Sequence, residues 1–144
     1  MQPILHLSIP VRDLGEARTF YLEVLGCQAG RQRDDFADVW FYGMQVTLQH
    51  RPDEVAALQS GGTRHYGVTL ERGEFEALVG RIAQRGVPWL VPVTTDDDGR
   101  ATEQTKAKIA DPSGNVIEVK TYRDVTSALE FSPHSYPGAA EHGN

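Results

Sequence analysis

The chain has 144 residues, a formal charge of −6, 40% hydrophobic and 24% charged residues, which suits one folded domain and is too short for two large independent ones. An acidic chain with no Lys/Arg cluster is a poor match for a nucleic-acid backbone, no apolar run is long enough to span a bilayer, and the N-terminus lacks a signal-peptide layout. No nucleic-acid or membrane partner is therefore expected, and a cytoplasmic location is.

In chain order, Ile4 to Ile9 reads as a strand. Leu14, Ala17, Phe20, Tyr21, Val24 and Leu25 then recur at three- and four-residue steps, predicting an amphipathic helix with Asp13 as N-cap, Glu16 completing a capping box and Gly26 as the stop. Strand signals follow at Cys27 to Arg31, Phe36 to Tyr42 and Gln45 to Gln49. Cys27 is the sole cysteine, which excludes an internal disulfide and a cysteine-rich zinc cluster and leaves a small buried hydrophobe. Trp40, Phe41 and Tyr42 supply core on one face and pocket wall on the other.

Arg51 to Gly62 reads as a linker, with a helical turn or two expected within Asp53 to Gln59. The pattern then repeats: a strand from His65 to Leu70, a helix with Phe75, Leu78, Val79 and Ile82 inward, a stop at Gly86, and strands at Val87 to Val93, Lys106 to Ala110 and Asn115 to Tyr122. Thr94 to Thr102 is expected to be a polar loop. Each half is strand, helix, strand, strand, strand, and an internal repeat of this kind dictates architecture. The expected organisation is one domain over 1–124, made of a first module at about 2–50, a linker at 51–62 and a second module at about 63–123. Residues 125–144 form a tail without periodicity, expected to be mobile or docked on a neighbouring subunit through Leu129, Phe131 and Tyr136.

Three residues carry the chemistry. His6 and His65 occupy the same position of the first strand in each half, and Glu118 sits between Ile117 and Val119 in the last strand. A strand histidine by itself is more often a core or surface residue; the pairing changes that reading. If Leu5, Leu7, Tyr66, Val68, Ile117 and Val119 face the helices, all three polar side chains face the other side. A carboxylate there is costly to bury without a cation, the bland alternative being a solvent-facing Glu. Two imidazoles and a carboxylate suit Fe(II), Mn(II), Zn(II) or Ni(II) and leave positions open for substrate and water or dioxygen.

The layout resembles the vicinal-oxygen-chelate superfamily, which groups glyoxalase I, extradiol dioxygenases, fosfomycin-resistance thiol transferases and bleomycin-resistance proteins. The resemblance covers about residues 2–123 and rests on the opening run from His6 to Cys27, the His65 to Leu70 strand, and the Asp111-Pro112-Ser113-Gly114-Asn115 turn before the Glu118 strand. It implies an α+β fold, two βαβββ modules whose curled mixed sheets surround a metal-binding cavity, with His6, His65 and Glu118 as ligands. Aligning Gly43 with Gly114 places Thr47 at the counterpart of Glu118, where glyoxalase-type sites resemble one another in carrying a fourth ligand, usually a carboxylate. Thr47 is a poor ligand; Gln49, on the same face, offers an amide oxygen, and His50 points away.

The nearest subgroup is similar to the small extradiol-type dioxygenases, which implies Fe(II), a small catechol-like substrate and a homodimer. Extradiol enzymes resemble one another in a Tyr and a His near the metal; here no histidine lies between His65 and His134, and the candidate acid–base or positioning groups are Lys106, Lys108, Tyr122 and Asp38, each with a solvated-surface alternative. A glyoxalase-like isomerase or lyase is the enzyme alternative, disfavoured by Thr47. A drug-binding protein of the bleomycin-resistance kind is the non-catalytic one, disfavoured by the triad.

Overall fold

A computed structural model describes residues 1–56 and 63–131. Two four-stranded mixed sheets are built from β1 (His6–Val11), β2 (Gln28–Gln32), β3 (Phe36–Phe41), β4 (Met44–His50), β5 (His65–Thr69), β6 (Trp89–Asp96), β7 (Gln104–Ala110) and β8 (Val116–Tyr122). The strand orders are β1-β4-β3-β2 and β5-β8-β7-β6. In both sheets the first strand runs parallel to the last, and the other neighbours are antiparallel. The fold is therefore α+β, with two βαβββ modules.

The register confirms the internal repeat to the residue. His6 lies opposite Gln45 and Ser8 opposite Thr47; His65 lies opposite Val116 and Gly67 opposite Glu118. Counting from the aligned glycines, Gln45 corresponds to Val116 and Thr47 to Glu118, so His6 and His65 are true counterparts. The antiparallel neighbours extend the match, because Asp38 lies opposite Thr47 and Lys108 opposite Glu118.

One continuous core joins the modules. Ile9, Val11, Val46 and Leu48 from the first sheet and Ile109, Ile117 and Val119 from the second meet Tyr21, Phe75, Leu78 and Ile82 from the helices. Each fully buried aliphatic side chain contributes roughly 1.5–3 kcal/mol against exposure. Leu7, Tyr66 and Val68 pack against this core as expected, but Leu5 is 72% exposed. It precedes the first paired residue of β1, so the helix cover does not reach it.

The first helix differs from its expected form. An α-helix, α1 (Leu14–Thr19), passes into a π-helical turn over Phe20–Val24, with Leu25 N–H donating to the Phe20 carbonyl at 3.3 Å. Phe20, Tyr21, Val24 and Leu25 are all buried along this turn, the one apolar face their spacing predicts. The Asp13 cap is present, its Oδ1 accepting from Glu16 N–H at 2.7 Å, but Glu16 pairs with Arg12 at 2.7 Å instead of returning to the cap. The second helix, α2 (Arg72–Gln84), is regular. Gly26 and Gly86 end the two helices at φ +71° and +70°, a left-handed stop that other residues adopt only under strain.

Two further departures lie in the second half. Strand β6 continues through Thr94, Thr95 and Asp96, which pair with Lys106, Thr105 and Gln104, so part of the expected polar loop is strand. An edge strand with one wet face tolerates that polarity. After β8 a short helix, α3 (Val125–Leu129), is capped by Asp124; Leu129 and Phe131 are exposed, while Tyr136 lies outside the described residues. In the linker a 3₁₀ turn covers Pro52–Glu54, and the expected helical residues 57–59 lie outside the described residues. Among the described residues no helix is long and apolar enough to cross a membrane.

Candidate metal centre

Alternation along β5 and β8 sends Tyr66, Val68, Ile117 and Val119 into the core and leaves His65, Gly67, Thr69, Glu118, Lys120 and Tyr122 on the outer face. Gly67 makes the close part of this pairing possible. A Cβ there would stand 1.8 Å from the Glu118 carbonyl oxygen, so any side chain would drive the strands apart. With glycine in place, His65 Nε2 comes within 3.8 Å of Glu118 Oε2. His65 Nδ1 lies 3.0 Å from the Thr63 carbonyl, and a carbonyl only accepts, so the bond requires the proton on Nδ1. That tautomer turns the Nε2 lone pair toward the carboxylate. Glu118 is 9% exposed, and it helps line a cavity of about 260 Å³ with His65, Thr69 and Lys120.

Lysines complete this face. Lys120 Nζ stands 3.5 Å from Glu118 Oε1 and Lys108 Nζ 3.8 Å from Oε2. Lys120 also lies over the Tyr122 ring at 5.6 Å. Lys106 is committed elsewhere, in a 2.7 Å ion pair with Asp96; that hydrogen bond holds the Lys106 ammonium above its usual value and the Asp96 carboxyl below its own.

The outer face of the first sheet is organised around Asp38, which is 3% exposed. Its carboxylate accepts from Thr47 Oγ1 at 2.7 Å, Arg31 Nε at 2.7 Å and Gln45 Nε2 at 3.2 Å. Burial pushes the Asp38 carboxyl up, and these three donors together outweigh it and hold it below the usual range. Thr47 thus gives its hydroxyl proton to Asp38, while Gln49 donates its amide to Ser8. Neither side chain is directed to His6, which is exposed.

Among the described residues, no three His, Cys, Asp or Glu side chains of one chain converge as a metal site. His65 and Glu118 come together on the second sheet, and His6 stands on the first. The pair itself suits a divalent ion: donors about 2.1 Å from one ion sit roughly 3.0–3.4 Å apart for octahedral to tetrahedral angles, a few tenths of an ångström inside the observed 3.8 Å. A larger cleft of about 550 Å³ opens between the modules, lined by Cys27, Trp40, Tyr42, Ala77 and Arg81. It holds none of the expected ligands, and burial pushes its Cys27 thiol up to about 12, so no thiolate nucleophile is available there.

One buried network was not foreseen as such. Asp111 accepts from Tyr21 Oη at 2.8 Å, from the Ser113 and Asn115 N–H groups, and from Asn115 Nδ2. Asn115 also donates to the Pro10 carbonyl, Arg12 N–H donates to Ser113 Oγ, and Tyr66 Oη donates to Tyr21 Oη at 2.7 Å. The Asp-Pro-Ser-Gly-Asn turn therefore fastens the second module to the first. Burial raises the Asp111 carboxyl, partly offset by the bonds from Asn115 and Tyr21. The turn itself is visible in the sequence; its partners, some 90 to 105 positions away, are not.

Two βαβββ modules with four-stranded mixed sheets around a shared core define the class of fold. The chain belongs to the glyoxalase/bleomycin resistance protein/dioxygenase superfamily, whose family model matches residues 3–119. A glyoxalase/bleomycin resistance protein/dioxygenase from Alicyclobacillus acidocaldarius is similar at 33% identity and TM-score 0.78, over 85% of this chain and 92% of that one. A virulence protein from Salmonella typhimurium matches at 26% identity and TM-score 0.58, over 85% and 98%. The fosfomycin resistance protein FosX from Listeria monocytogenes shares the fold at 12% identity and TM-score 0.67, over 84% and 93%. No curated protein matches the chain.

Proposed function

We propose that the chain is a divalent-metal-dependent enzyme, an extradiol-type dioxygenase acting on a small catechol-like substrate, with its site completed between two copies. The observation that carries this reading is the His65–Glu118 pair, held by Gly67 and oriented through Thr63. His6 is the third ligand. It sits at the counterpart of His65 but on the other sheet, with the shared core between the inner faces of the two sheets, so the His6 that completes the site comes from a second copy. A two-fold dimer repeats that contact and creates two equivalent sites.

Fe(II) is the favoured ion, because two histidines and one carboxylate leave open positions; when bound it would hold vicinal substrate oxygens and stabilise the charge on them. Thr47 supports a three-ligand site over a four-ligand glyoxalase-type one, since its hydroxyl serves Asp38. This chain's own contribution is to orient His65, keep Glu118 shielded from water and hold the Lys120 ammonium at the rim of the cavity.

Shared-site complementation tests the reading. His6→Ala and His65→Ala homodimers are each expected to lose bound Fe(II) and catechol-dependent O₂ uptake. Mixed after gentle dissociation, they should regain about a quarter of wild-type uptake, because half the dimers are hybrids with one intact site. Full metal content in either variant alone, or no recovery on mixing while dimers re-form, would sink it.

A further inference from the structure

The cleft of about 550 Å³ between the modules shares no lining residue with the cavity at His65 and Glu118. Its size falls within the roughly 300–1,000 Å³ of small-molecule sites, which favour boundaries between folded units. One wall is a single stripe of α2, formed by Glu74, Ala77, Leu78 and Arg81 at steps of three and four residues. The facing wall is the end of the first helix at Leu25 and the β3–β4 hairpin at Phe41 and Tyr42. Leu25, Phe41 and Leu78 are buried and give the cleft an apolar base.

The two charges on the α2 wall are used differently. Arg81 is spent within the chain: its Nε donates to the Glu23 carbonyl at 3.1 Å and its Nη2 to the Leu22 carbonyl at 3.4 Å, clamping α2 to the end of the first helix. Glu74 makes no hydrogen bond or ion pair among the described residues. A carboxylate in the first turn of a helix is ordinary by itself; this one opens onto a cavity that it shares with a strained aromatic residue. Tyr42 and Gly43 turn the hairpin at φ +47° and +81°, a type I′ pattern that asparagine and glycine fill readily and tyrosine does not. Tyr42 is also 51% exposed, with its ring edge-on to Phe41 at 5.0 Å. Partial burial, and after it the Glu74 carboxylate, push the Tyr42 phenol up, so the ring lies within the field of that carboxylate. An exposed aromatic side chain kept on a strained backbone marks a functional position.

We propose that this cleft is a second binding site, for a small organic ammonium ion, with Glu74 taking the charge and the Tyr42 ring covering the ligand. The site does not depend on the metal-site reading. Aromatic faces attract ammonium groups through their quadrupole, and the carbonyl end of the first helix adds negative potential. An anion would meet the Glu74 charge, and a neutral ligand would desolvate that carboxylate without pairing it.

The test titrates the full chain with 2-phenylethylammonium and with its uncharged isostere 2-phenylethanol, following backbone amide shifts by NMR. The ammonium ion is expected to bind about fivefold tighter or more, with the largest shifts at Gly26, Gly43 and Ala77. Glu74→Gln should bring the preference to within about twofold. Tyr42→Asn should weaken ammonium binding by about fivefold while holding or raising Tm, because asparagine suits the left-handed turn. Equal affinity for the two probes, shifts that fall outside the cleft, or a preference that survives Glu74→Gln overturns the site. So does a lower Tm in Tyr42→Asn, which would make the ring a packing group.

Discussion

Position for position, Thr47 beside Asp38 on the first sheet corresponds to Glu118 beside Lys108 on the second, and the two outer faces handle their carboxylates in opposite ways. Asp38 reaches outward from the middle of its sheet and is bound at once by Thr47, Arg31 and Gln45 at 2.7–3.2 Å. Glu118 is ringed by His65, Lys108 and Lys120, and none of these three contacts is shorter than 3.5 Å. A satisfied polar network stabilises and fixes its surroundings, whereas loosely held charges leave room for a ligand. The two modules carry equivalent faces; in the first the carboxylate is closed into a network, and in the second it stands beside a histidine.

The contrast breaks most visibly at the counterpart pair itself. Glu118→Gln should weaken divalent-metal affinity by about a hundredfold or more, a ligand loss exceeding the 10–100-fold seen for supporting groups, while Thr47→Val should leave it within about twofold; competition with a chelating dye measures both. Gly67 and Ser8 form the next pair. Gly67→Ala drives a Cβ into the Glu118 backbone and should cost about 2–3 kcal/mol of unfolding free energy, with loss of metal as β5 and β8 separate. Ser8→Ala removes only the bond from Gln49 and should cost less than about 1 kcal/mol. Urea unfolding compares the two.

Asp38→Asn sharpens the same contrast from the structural side. It should cost about 1–2 kcal/mol, the value of charge-assisted bonds reduced because Arg31 is exposed, and leave metal affinity nearly unchanged. The pH dependence has a definite sign. The folded-state value of Asp38 is lowered, so its stabilisation is fully present above the ordinary carboxylate value of about 4 and is lost as pH falls through the lowered value. The Tm gap between wild type and Asp38→Asn should thus be widest near neutrality and narrow toward about pH 3; a gap that is constant or grows in acid would show that the charge is not what stabilises. At the joint between modules, Tyr21→Phe removes a single bond to Asp111 and should cost about 1 kcal/mol by thermal unfolding.

Local periodicity made much of this legible. Alternation along a strand has a period of two, so Ile117 and Val119 inward implies Glu118 outward, and the internal repeat by itself pairs His6 with His65. The repeat also placed Thr47 opposite the carboxylate position. Other features depend on contacts between distant segments: the three donors on Asp38, the ion pair that occupies Lys106, and the Asp111 joint. Leu5 alternates correctly with Leu7 and is still exposed, because cover depends on where the helix ends over the sheet and not on the strand's own pattern.

By itself the sequence determined which side chains share a face and which positions of the two modules are equivalent, because strand and helix geometry repeat every few residues. Only the tertiary structure decided that the modules share one core and that His65 and Glu118 meet while His6 stays apart. Pairing of β5 with β8 across Gly67 brings the first two together, and the shared core and the Asp111 joint hold the modules; both join residues far apart in the chain, and no local pattern encodes them.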